Sequence, residues 1–593
     1  MDLWMWILVG IFVYWVAVVI LGRMGVLPES VNTTGPITTI RTKRGREFLD
    51  RLAQRRRWWR AWANIGVGIA IVVMIGSFVM LLVSAILSAL SPTPDQIQQP
   101  QNVLVIPGVN EFLPLEVAPE IIVGLVIGLV VHEGAHGLLC RVEHIDIKSM
   151  GVALIAFIPL GAFVEPDEES ASEVSRGART RMFAAGVTGN FVVTIIVFAL
   201  LFGPVAGAIA VAPGAAVGGV LPGSAADQAG IDSGDRITAI EGQAIEDFDE
   251  LSAKLDDIGE RTVTVEVNDD ETKSVERSLL VTAISPGPSD IPEGSTILSV
   301  NGEEVHTMPA FEDLLAERDM ATLTYRTPDG ESRSTTIPIG SYAIVTDGPL
   351  AEAGVEELSE VVITSIASEP IKSTADLQDV LADQTPGSTV PVSYIVNNET
   401  HTVDVTLGEG ADGGGFLGVR TTQGVTGMII SDFGIRAFPA DRYLALIGGG
   451  DPDDDPIGVA DSFLGKMVIA VFLPLASIVL GSVLPFNFPG FTGDTMNFFV
   501  IEGPLAMLGS GTFLLANILF WTGWINLNLG FFNCIPAIPL DGGHILRSAT
   551  ESILSRSPIG ASNRVVAVIV TAVALVMLAS FLILIFGAGL LAP

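Results

Sequence analysis

The chain has 593 residues, 49% of them apolar, a mean hydropathy of +0.54 and a formal net charge of −35. That hydropathy excludes an ordinary soluble globular protein, and the length allows several domains. Two cysteines, Cys140 and Cys534, are too few for a disulfide framework, and the acidic excess argues against nucleic acid as a partner.

In chain order, apolar runs at Leu3–Leu21, Ile65–Leu87, Ile121–Cys140, Phe191–Val211, Phe513–Phe532 and Val565–Leu590 approach or exceed the roughly 20 residues that span a bilayer. The first begins with Asp2 rather than a basic region, so a retained span is expected and not a cleaved signal. Residues 23–60 carry ten Lys/Arg, residues 91–118 none and residues 141–181 five, while 541–564 holds Arg547, Arg556 and Arg564. The positive-inside rule then places the N-terminus outside, 23–60 inside, 91–118 outside, 141–181 inside, the acidic middle outside, 541–564 inside and the C-terminus outside.

Two apolar stretches fit poorly as spans. Met150–Val164 is short and is interrupted by Pro159 and Gly161, which suggests a re-entrant or interfacial hairpin on the cytoplasmic side. Leu464–Leu484 is long enough to cross. A single crossing there would put Asp541 on the wrong side, so the chain is expected to double back near Pro485–Pro489.

Between Pro213 and Asp455 stand 45 Asp/Glu against 12 Lys/Arg. Such a surface suits a salt-loving organism, where ionic strength screens self-repulsion. This block repeats itself. Gly234–Gly242 is followed by a helix-like run with Phe248, Leu251 and Leu255, and then by a strand-like Thr262–Val267. Gly294–Gly302 repeats the pattern with Phe311, Leu314 and Leu323–Tyr325. Glu360–Ser368 repeats it more weakly, with Leu377 and Val390–Ile395. Strand, turn, amphipathic helix and strand recur each time.

The chemistry-bearing motif is His132-Glu133-Gly134-Ala135-His136, near the end of the third apolar run. HExxH on a helix puts two imidazoles one turn apart on one face, with a carboxylate beside them. That arrangement suits zinc, which takes neutral nitrogen ligands and needs a base near the reacting water. A third protein ligand is required. The best candidate is Asp541 in Asn533-Cys534-Ile535-Pro536-Ala537-Ile538-Pro539-Leu540-Asp541-Gly542-Gly543-His544. Pro536 and Pro539 remove backbone donors and break the helix, and broken backbone in a bilayer is tolerated only beside protein or a water cavity.

HExxH on one span, N-x-x-P-x-x-P-L-D-G-G on a later one and PDZ-like copies between them resemble the site-2 proteases, the intramembrane zinc metalloproteases. Gly186–Asn190 and Glu502–Ala506 also resemble that family's pattern. The resemblance covers about Pro119 to Arg547. It implies that His132, His136 and Asp541 bind one zinc ion per chain. Glu133 would be the general base, passing its proton to the leaving amine. Asn533 would hold the substrate backbone or cap broken helix, and His544 would orient Asp541. Asn190 reads as buried polar packing, and His144, His306 and His401 as ordinary loop or surface histidines.

The expected fold is therefore a polytopic α-helical membrane protein of about six spans plus re-entrant segments, with an extracytoplasmic α+β PDZ-like insert. Its expected parts are an N-terminal span pair with a basic loop (1–118), a first catalytic part (119–211) and the tandem repeats (212–410). A linker with an interfacial segment (411–509), a second catalytic part (510–560) and a C-terminal span (561–593) follow. The implied activity is cleavage of a single-span membrane protein near the cytoplasmic face of a cell membrane, after trimming by an upstream site-1-type protease. The rival readings are a silent scaffold of the same fold and a metal transporter.

Overall fold

The structure, a computed structural model, describes residues 3–591 except 26, 29, 35–36, 91–105, 111–112, 156–157, 286–289, 317, 397–398, 411–412, 460, 482, 557 and 559–561. Most of the 91–118 loop expected outside thus lies beyond the described residues. The chain divides into two compact units. The first comprises Met1–Ala210, Asp441–Gly493 and Ile501–Pro593, and the second Val211–Ala440 and Asp494–Val500.

In the first unit, the opening apolar run forms α1 (Leu3–Arg23). Strands β1 (Val31–Thr34) and β2 (Ile37–Arg41) and helix α2 (Lys43–Leu52) follow, then α3 (Arg56–Leu90). Next come α4 (Ala118–Val142), β3 (Ile147–Ile155), β4 (Ile158–Pro166) and α5 (Arg176–Leu200). Pro119 in the first turn of α4, Glu120 beside it and Arg141 in the last turn suit the two ends of a helix dipole. Ser175 caps α5 by accepting the Ala178 N–H.

Among the described residues, five helical segments are long and apolar enough to cross a membrane: Arg56–Leu90, Leu115–Glu143, Arg176–Ala208, Gly511–Asn533 and Asn563–Phe586. Helix α4 packs against α5, and α5 also packs against α3. Buried Glu143, just past α4, joins these three. It receives Arg60 at 3.1 Å from α3 and Arg181 at 2.8 Å from α5.

The hairpin expected over 150–164 forms as β3 and β4, and it is half of a larger sheet. The order is β1-β2-β3-β4, all antiparallel, with Ile40 opposite Val152 and Met150 opposite Val164. Strands β1 and β2 come from the basic segment after α1, where Thr and Ile are too few to set a period of two. Strand β4 pairs with β3 alone, so its outer edge has no strand partner among the described residues.

The stretch 464–484 is no simple helix. A ten-residue α-helix, Phe463–Phe472, covers only about 15 Å. The Phe488 N–H then reaches back to the Leu473 carbonyl at 2.8 Å, and Asn487 accepts from the Ser477 amide and hydroxyl. The chain therefore doubles back within this segment.

The second unit holds the three repeats. Each copy has five strands, one of them only two residues long, and a main helix capped by Asp247, Thr307 or Ser373. Copy 1 runs from Ala215 to Glu276, copy 2 from Leu279 to Pro338 and copy 3 from Ser341 to Thr406. Each has its own buried core: Ile237, Leu251 and Val265 in the first, Ile297, Phe311 and Leu323 in the second, Ile363, Leu377 and Val392 in the third.

No copy is complete by itself. A return segment lays one further strand on each sheet, in reverse order. Val419–Thr421 joins copy 3 beside Ser341–Val345. Met428–Ser431 joins copy 2 beside Leu279–Ile284. Ile435–Ala437 joins copy 1 beside Ala215–Val220. A glycine with positive φ precedes each strand: Gly418, Gly427 and Gly434. The insert thus extends to Ala440, beyond the boundary expected at residue 410. The reason is physical. Strands of three or four residues carry too little alternation to be read, and their partners lie far away in sequence.

Candidate metal centre

The centre lies in the first unit, where α4 meets α5 and the broken end of a fourth helix. That helix, Gly511–Asn533, stops before Pro536 and Pro539, and Asp541 opens the next one, Asp541–Leu554. The turn is tight. A methyl on Gly542 would lie 2.2 Å from the Cys534 carbonyl oxygen, so this position admits only glycine.

This turn brings Asp541 to the two histidines. Asp541 Oδ2 lies 3.2 Å from His132 Nε2 and 3.2 Å from His136 Nε2, and the two Nε2 atoms are 3.1 Å apart. The residues are 8%, 6% and 9% exposed. Helix α5 closes the site from the side: a methyl on Gly186 would fall 2.4 Å from His136 Nε2.

The tautomers follow from the outer partners. His136 Nδ1 is 2.7 Å from the Met182 carbonyl and must donate to it, leaving Nε2 as a lone pair. His132 Nδ1 is 3.2 Å from the side-chain amide nitrogen of Asn190, whose Oδ1 has no partner. Turning that amide over satisfies both groups, because Oδ1 then accepts the Nδ1–H. His132 Nε2 is then also a lone pair. Buried Asp541 Oδ2 has no hydrogen-bond donor. With both imidazoles neutral, as metal ligation requires, three acceptors converge, which costs free energy unless a cation sits there. Two imidazole nitrogens and one carboxylate oxygen suit a catalytic zinc ion, with room for one more ligand.

Glu133 is half-buried beside the site, and its Oε2 accepts the Val164 N–H of β4 at 2.8 Å. Its carboxylate thus touches the outer edge of the sheet. Asn533 stays within its own helix, donating to the Leu529 carbonyl at 2.9 Å. His544 departs from expectation. Among the described residues it makes no hydrogen bond to Asp541, and its ring stacks on Phe183 at 4.3 Å. Three participants escaped sequence reasoning or were undervalued by it. The Met182 carbonyl and the Val164 amide are backbone groups without a side-chain signal. Asn190 stands in the Gly186–Asn190 motif but reads there as packing.

An HExxH helix joined by a distant aspartate, all in an assembly of apolar helices, defines a membrane metalloprotease centre. The sequence model of peptidase family M50 matches residues 120–579, and the chain belongs to that family, the site-2 proteases. The chain is 24% identical over 471 residues to the regulator of sigma-E protease RseP of Escherichia coli, a match covering 73% of this chain and 90% of that protein. It is 33% identical over 196 residues to the uncharacterized protein MJ0971 of Methanocaldococcus jannaschii, covering 31% of this chain and about half (49%) of the relative. A solved PDZ domain of a Listeria monocytogenes SdrC-like protein matches 14% of the chain and 86% of that domain, at 23% identity and a TM-score of 0.13.

Proposed function

We propose that this chain is an intramembrane zinc endopeptidase that cuts single-span membrane proteins near the cytoplasmic face. The observation that carries the reading is the convergence of His132 Nε2, His136 Nε2 and Asp541 Oδ2 within 3.2 Å of one another, with no well-formed hydrogen bond to that buried oxygen. Zinc held there would supply Lewis acidity and lower the pKa of a water toward about 7.

The chain's own residues do the rest. Met182 and Asn190 hold the imidazoles in the ligating tautomer. Glu133 takes a proton on its carboxylate and delivers it to the leaving amine. The outer edge of β4 offers a place for substrate. Val164 turns its N–H outward, and alternation along the ladder turns the Ala162 backbone the same way. A substrate helix must unwind before its carbonyls are open to attack, and an unwound segment added to β4 would lie beside Glu133. Asn533 would steady that segment. The PDZ-like insert, whose outside position the positive-inside rule supports, would admit only substrates already trimmed by another protease.

Metal content tests the centre without a known substrate. Wild type should hold about one zinc per chain. His136→Ala and Asp541→Ala should lose it, and Glu133→Gln should keep it. Zinc retained without Asp541 would remove the third ligand and the reading with it. A silent scaffold of the same fold has no use for an intact Glu133, and a transporter would need further ligands along a path.

A further inference from the structure

Beside the end of α4 that carries the metal ligands lies a second, basic cavity. It measures about 440 Å³ and is lined by Arg41, Lys43, Arg46 and Lys148, with Thr42 and Ser149 between them. The cations are set on a rigid frame. Arg41 ends β2 and pairs with Gly151, while Lys148 lies on the adjacent strand β3. Thr42 bonds the Met150 carbonyl through its amide at 3.0 Å and caps α2 through its hydroxyl. Helix α2 is seated by Leu49, which packs where a methyl on Gly137 would stand 2.7 Å away.

The charges do not balance. Arg41 and Lys43 have no carboxylate partner among the described residues. Arg46 reaches only the Ile147 carbonyl at 3.5 Å, and Lys148 meets Asp167 at 3.6 Å. The nearby Glu165 is bonded to the Ser149 hydroxyl. In a chain of net charge −35, four cations beside two carboxylates, one of them held by Ser149, mark a place suited to an anion. Its surroundings suit a bilayer surface. Phe48 on α2 and Trp58 at the start of α3 are each 58% exposed, and Trp58, Trp59 and Trp62 form a string of edge-on rings.

We propose that this cavity binds a phosphoanion, which in the membrane is the phosphate of an anionic lipid headgroup. Such a ligand would tie β2, β3 and α2 together, and through β3 it would brace β4. This inference does not depend on the peptidase reading.

The test uses the full chain in detergent, with binding followed by thermophoresis. The probes are water-soluble dihexanoyl phosphatidylglycerol, its phosphatidylcholine counterpart and inorganic phosphate. Phosphatidylglycerol should bind at least tenfold tighter than phosphatidylcholine. The double variant Arg41→Gln/Lys148→Gln should weaken it about 30-fold, roughly fivefold per charge. Arg44→Gln/Arg51→Gln removes the same charge from α2 outside the cavity and should change affinity less than fivefold. Competition by inorganic phosphate would name free phosphate as a source of the same chemistry, and its failure to compete would leave the lipid as the ligand. Equal loss in both double variants, or no preference for phosphatidylglycerol in the wild type, would overturn the proposal. So would displacement of the lipid by a tetraglutamate peptide, which would assign the cavity to an acidic protein segment. The lipid comparison in wild type needs no variant to fold.

Discussion

Two buried aspartates, one in each unit, do opposite work. Asp541 is 8% exposed and Asp432 is 7% exposed, and each joins segments far apart in sequence. Asp432 lies in the return segment of the insert. It accepts the guanidinium of Arg277, itself 0% exposed, and the Met308 N–H at the start of copy 2's helix at 2.9 Å. Its charge is matched, and it staples copies 1 and 2 to the returning chain. Asp541 faces two imidazole nitrogens at 3.2 Å, and its Oδ2 has no well-formed hydrogen bond. The difference teaches that burial and long reach do not mark a site. What sets Asp541 apart is that its unsatisfied oxygen converges with two imidazole nitrogens, whereas Asp432 meets a cation.

Glu133→Gln should lower peptide-bond cleavage by about 10²–10⁴-fold, the usual share of a general base, and leave zinc content and the insert unchanged. A membrane-embedded reporter assayed beside metal analysis checks both. Arg277→Leu should destabilise the insert by about 3–5 kcal/mol, because it strands Asp432 as an uncompensated buried charge. Hydrogen exchange across residues 215–437 of the full chain should rise, while zinc content stays near one. Zinc loss in that variant would mean that the two carboxylates are not independent.

Asn190→Leu should weaken zinc binding by about 10–100-fold by freeing the His132 ring, a change seen in chelator competition. Zinc affinity equal to wild type would reduce Asn190 to packing. The smallest effect belongs to Glu312 on copy 2's helix. Partial burial, and then Asp256, Asp376, Asp313 and Asp432, raise its pKa above the ordinary glutamate value. A carboxyl with a raised folded pKa contributes stability only when protonated and loses it as pH rises. Glu312→Gln should therefore slow exchange in the insert slightly at neutral pH, with the gain vanishing toward pH 4 and in high salt. A gain that persisted at acid pH would point to packing and not charge.

The parts legible in the sequence are those that carry dense local signals. His132, Glu133 and His136 fall within one helical turn and a half, and the proline pair ahead of Asp541 announces a break at membrane depth. The repeats show because apolar residues recur at matched offsets around Gly234 and Gly294. What stayed hidden depends on the backbone or on distance. The Met182 carbonyl and Val164 amide exist at every position of every chain, so no residue type singles them out. Strand β2 and the three returning strands are too short for periodicity and find their partners only in three dimensions. His544 stands three residues after Asp541, but the direction of its ring is set by stacking on Phe183, a partner far away in sequence.

The return segment sets the order in which the insert can be finished. Its three copies open like brackets, first, second, third, and close third, second, first. As the chain leaves the ribosome, copy 3 is whole once Thr421 has emerged, copy 2 at Ser431 and copy 1 at Ala437. The copy made first waits longest, its edge bare until the last strand arrives. Only copy 3, from Ser341 to Thr421, is contiguous enough to be excised whole, and a nick between Thr421 and Met428 would part it from the strands that close the other two.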